Sequence, residues 1–100
     1  MKVLALLRPP AGTDVRSAIA AHAADELTAL WQLYRDGTVR EMYSPAGPGA
    51  VLILEADSLD LARSALDRLP LLATEVMALD IIELRPFAAF EMLLSRRSGR

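Results

Sequence analysis

One hundred residues are enough for one domain and one core, not two. With 53% hydrophobic residues, 24% charged residues and a net charge of −2, the chain carries neither the basic surface of a nucleic-acid binder nor an acidic tail. It has no Cys and one His, which excludes disulfides, thiolate catalysis and multi-histidine metal sites.

Val3–Leu7 is an uninterrupted apolar run closed by Arg8-Pro9-Pro10-Ala11-Gly12. Residues 2–8 read as a strand and 9–12 as a loop, since neither proline can donate to a ladder. The run is too short for a signal sequence, and no stretch approaches a membrane span. A soluble cytoplasmic protein with no membrane or nucleic-acid partner is the expectation.

Thr13 or Asp14 is positioned to cap the next element. From Val15 to Arg35 there is no Pro or Gly, Ala is abundant, and Asp36-Gly37 closes the run, as a long helix with a glycine stop requires. At about 100° per residue, Val15, Ile19, Ala23, Leu27, Leu30, Leu33 and Tyr34 fall on one arc, with Trp31 at its edge. Glu26 lies in the middle of that arc. His22 lies on its flank, one turn earlier.

Thr38–Ser44 alternates and reads as a more polar strand near a sheet edge. Pro45-Ala46-Gly47-Pro48-Gly49 is a turn signal, and residues 50–56 follow as a strand, so the two form an antiparallel hairpin. Ser58 caps a second helix whose apolar face is Leu61, Ala62, Ala65, Leu66 and Leu69, and Pro70 ends it. Leu71–Glu75 is a connector. Val76–Arg85 is the last strand. Pro86–Leu94 is an arm with many large apolar groups. Arg96, Arg97 and Arg100 sit in a Ser/Gly-containing end, so the domain is read as 1–94 and the tail as 95–100.

The order β-α-β-β-α-β specifies an α+β, ferredoxin-like fold: a four-stranded antiparallel sheet with two helices on one face. The first and third strands are central, which suits their continuous apolar runs. Two helices cover one face only, yet Val3–Leu7, Val51–Leu54 and Met77–Ile82 carry large apolar groups of both parities. A bare apolar face of that size calls for a partner, and a C2 homodimer packing sheet on sheet is the simplest one. The arm after Pro86 is within reach of such a partner.

Element order, the two-sided sheet, Asp36-Gly37 before the second strand, and Leu69-Pro70-Leu71 followed by a strand ending in Leu84-Arg85-Pro86-Phe87 together resemble the dimeric α/β-barrel superfamily, nearest to muconolactone isomerase-like proteins. The resemblance implies a homodimeric barrel, extendable to a ring, acting on a small organic molecule. It implies a proton shift on a lactone or other small organic acid, with no metal or redox cofactor. Cofactor-independent monooxygenases share the barrel. The related YCII-like pattern has a helix His and an Asp before a Pro; here Leu69 precedes Pro70, and Glu26 stands where the helix His is expected.

Among the polar residues Glu26 is the most informative. A carboxylate on an apolar arc loses hydration, so its pKa should rise and it can carry a proton near neutrality. His22 can share or orient that proton. The alternative pairs Glu26 with Arg8, Arg40 or a backbone donor. Arg8 can bind a substrate carboxylate as a fork, or be a surface arginine. Trp31, Tyr34 and Tyr43 can wall a pocket for a flat ligand, or belong to the core. Asp80 either lines the same cleft or marks an edge slot. Two readings stand: an isomerase using Glu26 and His22 as proton carriers, with Arg8, Trp31, Tyr34, Tyr43 and Asp80 around the substrate, or a non-catalytic ligand-binding or assembly module.

Overall fold

The computed structural model describes residues 1–98; residues 99–100 of the expected tail lie outside the described residues. The strands are β1 (Lys2–Arg8), β2 (Val39–Tyr43), β3 (Ala50–Glu55) and β4 (Ala78–Leu84), and the helices are α1 (Arg16–Arg35), α2 (Leu59–Leu66), α3 (Pro70–Ala73) and α4 (Ala89–Ser98). The four strands form one antiparallel sheet in the order β2-β3-β1-β4, with β1 and β3 central.

Strand parity divides the sheet into two faces. Val3, Ala5 and Leu7 pair with Leu54, Leu52 and Ala50, and this row is closed under the helices. Leu33 of α1, Ala62 and Leu66 of α2, and Leu69, Leu71 and Met77 complete that core. The other parity places Leu4 beside Ile53 and Ile82, and Leu6 beside Val51 and Asp80. No helix covers this face: Leu4, Leu6, Val51 and Ile53 are half-buried by their neighbours alone, and Ile82 is 54% exposed.

Local chemistry sets most boundaries. The hydroxyl of Ser58 accepts the Leu61 N–H at 3.1 Å and caps α2. At the end of α1, Gly37 takes φ 84°, and its N–H reaches the Tyr34 carbonyl. Asp36 accepts the Thr38 N–H at 2.9 Å and turns the chain into β2. At the start of α1 Val15 occupies the cap position and Thr13 donates back to the Pro10 carbonyl at 2.6 Å, while Asp14 accepts the N–H of Arg16, the first residue of the helix, at 3.2 Å and also holds its guanidinium. The expected connector after Pro70 is partly helical: Pro70, with its fixed φ and missing N–H, opens the single turn α3.

The buried stripe of α1 is also rotated from expectation. It runs Val15, Ile19, His22, Glu26, Ala29, Leu30 and Leu33, with Glu26 at its centre. Leu27 and Tyr34 lie roughly 80–100° round the helix from Glu26 and are exposed, as is Ala23. Leu27 is 66% exposed and Trp31 57%. The helix docks by its acid, and the hydrophobic flank turns outward.

After Pro86 the chain leaves the body. Phe87, Phe90, Met92 and Leu93 are all exposed, Phe87 and Phe90 meeting edge to face at 5.1 Å. The molecule measures 62 × 32 × 20 Å with a radius of gyration of 16.9 Å, against about 13 Å for a compact chain of this length. None of the described helices is long and apolar enough to cross a membrane.

Candidate active site

Proline at the first position of α3 leaves the next N–H, that of Leu71, with no partner inside its own helix. Glu26 supplies one. Its Oε1 accepts the Leu71 N–H at 2.9 Å, a buried bond across 45 residues of chain. Glu26 is 7% exposed and is the sole buried charged side chain among the described residues. Neither Arg8 nor Arg40 pairs with it; Arg40 donates to the Gly37 carbonyl instead. Of the expected structural partners, the backbone donor is the one that occurs.

Beside this carboxyl lies a cavity of about 280 Å³. Ile19 and Leu30 of α1 wall it on one side, Leu7, Leu71 and Met77 on another, and Pro48, Gly49 and Ala50 of the hairpin close its end. Glu26 is the only titratable group on that wall. Every buried side-chain nitrogen and oxygen among the described residues has a partner. Oε2, which has no protein donor, therefore faces open space. One oxygen is anchored and the other is presented.

Burial pushes the Glu26 carboxyl above the ordinary carboxylate range, by removing water from its charged form. The Leu71 hydrogen bond and the charge of His22 pull the other way and are the weaker effects. The carboxyl is thereby brought closer to neutrality as a proton carrier. His22 is half-buried one turn before Glu26 and does not line the cavity.

The other expected site residues lie elsewhere. Arg8 shares the parity of Leu4 and Leu6, so it is exposed on the bare-face side of the sheet. Asp80 is exposed on edge strand β4, opposite Leu6 on the bare face. Trp31 and Tyr34 stack on each other, centroids 6.0 Å apart, on the outer side of α1. Tyr43, near the end of β2, donates its hydroxyl to Glu41 at 2.5 Å. Tyr43 also borders a second trough, which shares Leu30, Gly49 and Ala50 with the cavity. The structure thus brings Glu26 and His22 together and leaves Arg8, Trp31, Tyr34, Tyr43 and Asp80 off the cavity wall.

Sequence reasoning missed the contribution of Leu71, Met77 and the hairpin turn. The orphan N–H created by Pro70 was the available signal. A polar hollow of about 370 Å³ between Met1, Asp36–Thr38, Arg40 and Glu55–Asp57 is a poorer candidate. Several of its charges already have partners: the N-terminal ammonium lies on Glu55 and Arg68 on Asp36, each at 3.4 Å.

No protein-family model matches the chain, and no curated protein matches it in sequence. Solved structures do match in fold. One is muconolactone isomerase, with a TM-score of 0.65 and 24% identity over 87% of this chain and 93% of that one. Another is the 5-chloro-2-hydroxyhydroquinone dehydrochlorinase TftG of Burkholderia phenoliruptrix AC1100, in complex with 2,5-dihydroxybenzoquinone. It has a TM-score of 0.65 and 19% identity over 85% of this chain and 94% of that one. The chain therefore shares the α+β, ferredoxin-like fold of muconolactone isomerase and that dehydrochlorinase.

Proposed function

We propose that this protein is a cytoplasmic, cofactor-independent enzyme of the muconolactone isomerase-like type, in which Glu26 moves a proton within a small unsaturated lactone or related carbonyl compound. The observation that carries this reading is the single carboxyl on the cavity wall, with one oxygen tied to Leu71 and the other free of any protein donor. Fixing one oxygen holds the acid in place. The free oxygen then takes a proton from the carbon next to the substrate carbonyl and returns it two atoms along the conjugated system. One base serves both steps if the two carbons lie on the same side of it, and a single acid on one wall suits that geometry. His22 acts through Glu26, by its charge, as a positioning residue.

The bare apolar face is the reason to add a homodimer, sheet against sheet, as the working unit. It needs no residue at the Glu26 cavity, which lies on the helix-covered side.

The test is proton exchange. An unsaturated γ-lactone is incubated with the protein in deuterated buffer, and solvent deuterium incorporation is followed by NMR. Catalysed exchange is expected, with Glu26→Gln slowing it about 100-fold or more while the circular dichroism spectrum is retained. Equal rates for the two proteins would remove Glu26 from the chemistry. Lactone binding with no exchange in either would make the protein a ligand-binding module.

A further inference from the structure

The cavity beside Glu26 contains a carboxyl and no cation. Its other walls are Leu, Ile, Met, Ala, Pro and Gly. The described cationic side chains are all placed elsewhere. Lys2 and Arg8 lie on the parity of β1 that points away from the helices. Arg16 is held by Asp14, Arg40 by the Gly37 carbonyl, Arg68 by Asp36 and Arg85 by Glu83. The one backbone donor beside the carboxyl, the Leu71 N–H, is spent on Glu26. An anion entering here would lose its hydration, find no counter-charge, and meet an acid whose free oxygen faces it.

From this we infer that the cavity takes an uncharged substrate: a small neutral cyclic carbonyl compound, and not an organic anion. The inference rests on the reading of the Glu26 cavity as the ligand site, and it narrows that reading from lactones and small organic acids together to the uncharged members. A neutral carbonyl compound places its apolar body against Ile19, Leu30 and Met77 and its acidic C–H against Oε2. It brings no second negative charge to the carboxyl that must become an anion to act as a base.

A matched pair of ligands tests this. The free carboxylate of a butenolide acetic acid and its methyl ester differ in charge and by one methyl group. Each is titrated calorimetrically into the full-length protein at pH 7.5. The ester is expected to bind at least tenfold more tightly than the carboxylate, and Glu26→Gln to narrow that gap by improving binding of the carboxylate. Ile19→Phe, which fills the cavity without adding charge, is expected to abolish ester binding. Equal or tighter binding of the carboxylate to the wild-type protein overturns the neutral-ligand inference and leaves the cavity standing as a site. Binding of neither ligand, or ester binding that survives Ile19→Phe, overturns the cavity as the ligand site and the inference with it.

Discussion

The two faces of the sheet are built from nearly the same residue types and have met different fates. Toward the helices, Val3, Ala5, Leu7, Leu52 and Leu54 are buried to 2% exposure or less, and that packing leaves a cavity with a carboxyl on its wall. On the other face Leu4, Leu6, Val51, Ile53 and Ile82 are as apolar, yet no helix among the described residues covers them. The difference separates two jobs. The covered face holds the one group with unusual chemistry, and the bare face is suited to another copy of the chain. On the proposed reading the chemistry sits within one protomer and the bare face is where a second copy docks.

The sharpest way to break this comparison is a pair of truncations one residue apart. Leu52→Ala, on the covered face, should cost about 3 kcal/mol of unfolding free energy at every protein concentration. Ile53→Ala, its neighbour on the bare face, should cost little in the isolated protomer and weaken the dimer, so that its melting temperature depends on concentration. Chemical denaturation across a hundredfold range of concentration, with light scattering alongside, reads both. If the two variants behave alike, the faces are not functionally distinct.

Next in size is Gly49→Ala, at the junction of hairpin and cavity. Gly49 has φ 136°, and a Cβ there would stand 2.2 Å from the Leu7 carbonyl oxygen. The substitution should cost about 2 kcal/mol or more, seen as a lower denaturation midpoint, because strain adds to backbone displacement.

Glu26→Gln should act in the opposite direction. The folded state raises the carboxyl's pKa, so its favourable contribution is full at a pH below the unfolded value. That contribution is lost as pH rises through the folded value. The groups packed around Glu26 from β1, the hairpin and α3 are uncharged, and His22 on its own helix is the one charged neighbour identified. Glutamine keeps an oxygen for Leu71 and removes the charge. It should stabilise the protein near pH 7 by on the order of 1 kcal/mol, with the gain vanishing toward pH 4. Denaturation midpoints of both proteins across that range check the sign. The smallest effect is Ser58→Ala, which removes the α2 cap on the covered side and should cost about 1 kcal/mol or less in thermal unfolding.

What was legible in the sequence was whatever depends on neighbours along the chain. Element order, the central places of β1 and β3, the Ser58 cap and the glycine stop at Gly37 follow from period, turn chemistry and composition. Glu26 stood out for the same reason, as a charge in an apolar arc. The rotation of α1 did not show, because a helical wheel treats Leu27 and Tyr34 as demanding burial. In the observed docking Glu26 accepts the Leu71 N–H at the start of α3, a partner far along the chain that a helical wheel does not include. The cavity wall was hidden for a similar reason. Met77, Leu71 and the Pro48–Ala50 turn meet only after three separate elements have packed. The aromatic residues misled in another way: Trp31 and Tyr34 satisfy each other on the outer side of α1.

Gly49 carries one more implication. It closes one end of the cavity and also lets the hairpin lie against the Leu7 backbone. The size of the chamber at that end is thus tied to the alignment of two central strands, and no side chain can be added there to reshape it for a different guest. On the proposed reading of the cavity as the ligand site, the walls that can change length without moving the ladder include Ile19, Leu30 and Met77. A directed-evolution library restricted to those three positions would explore most of the specificity this fold can offer while leaving its foundation intact.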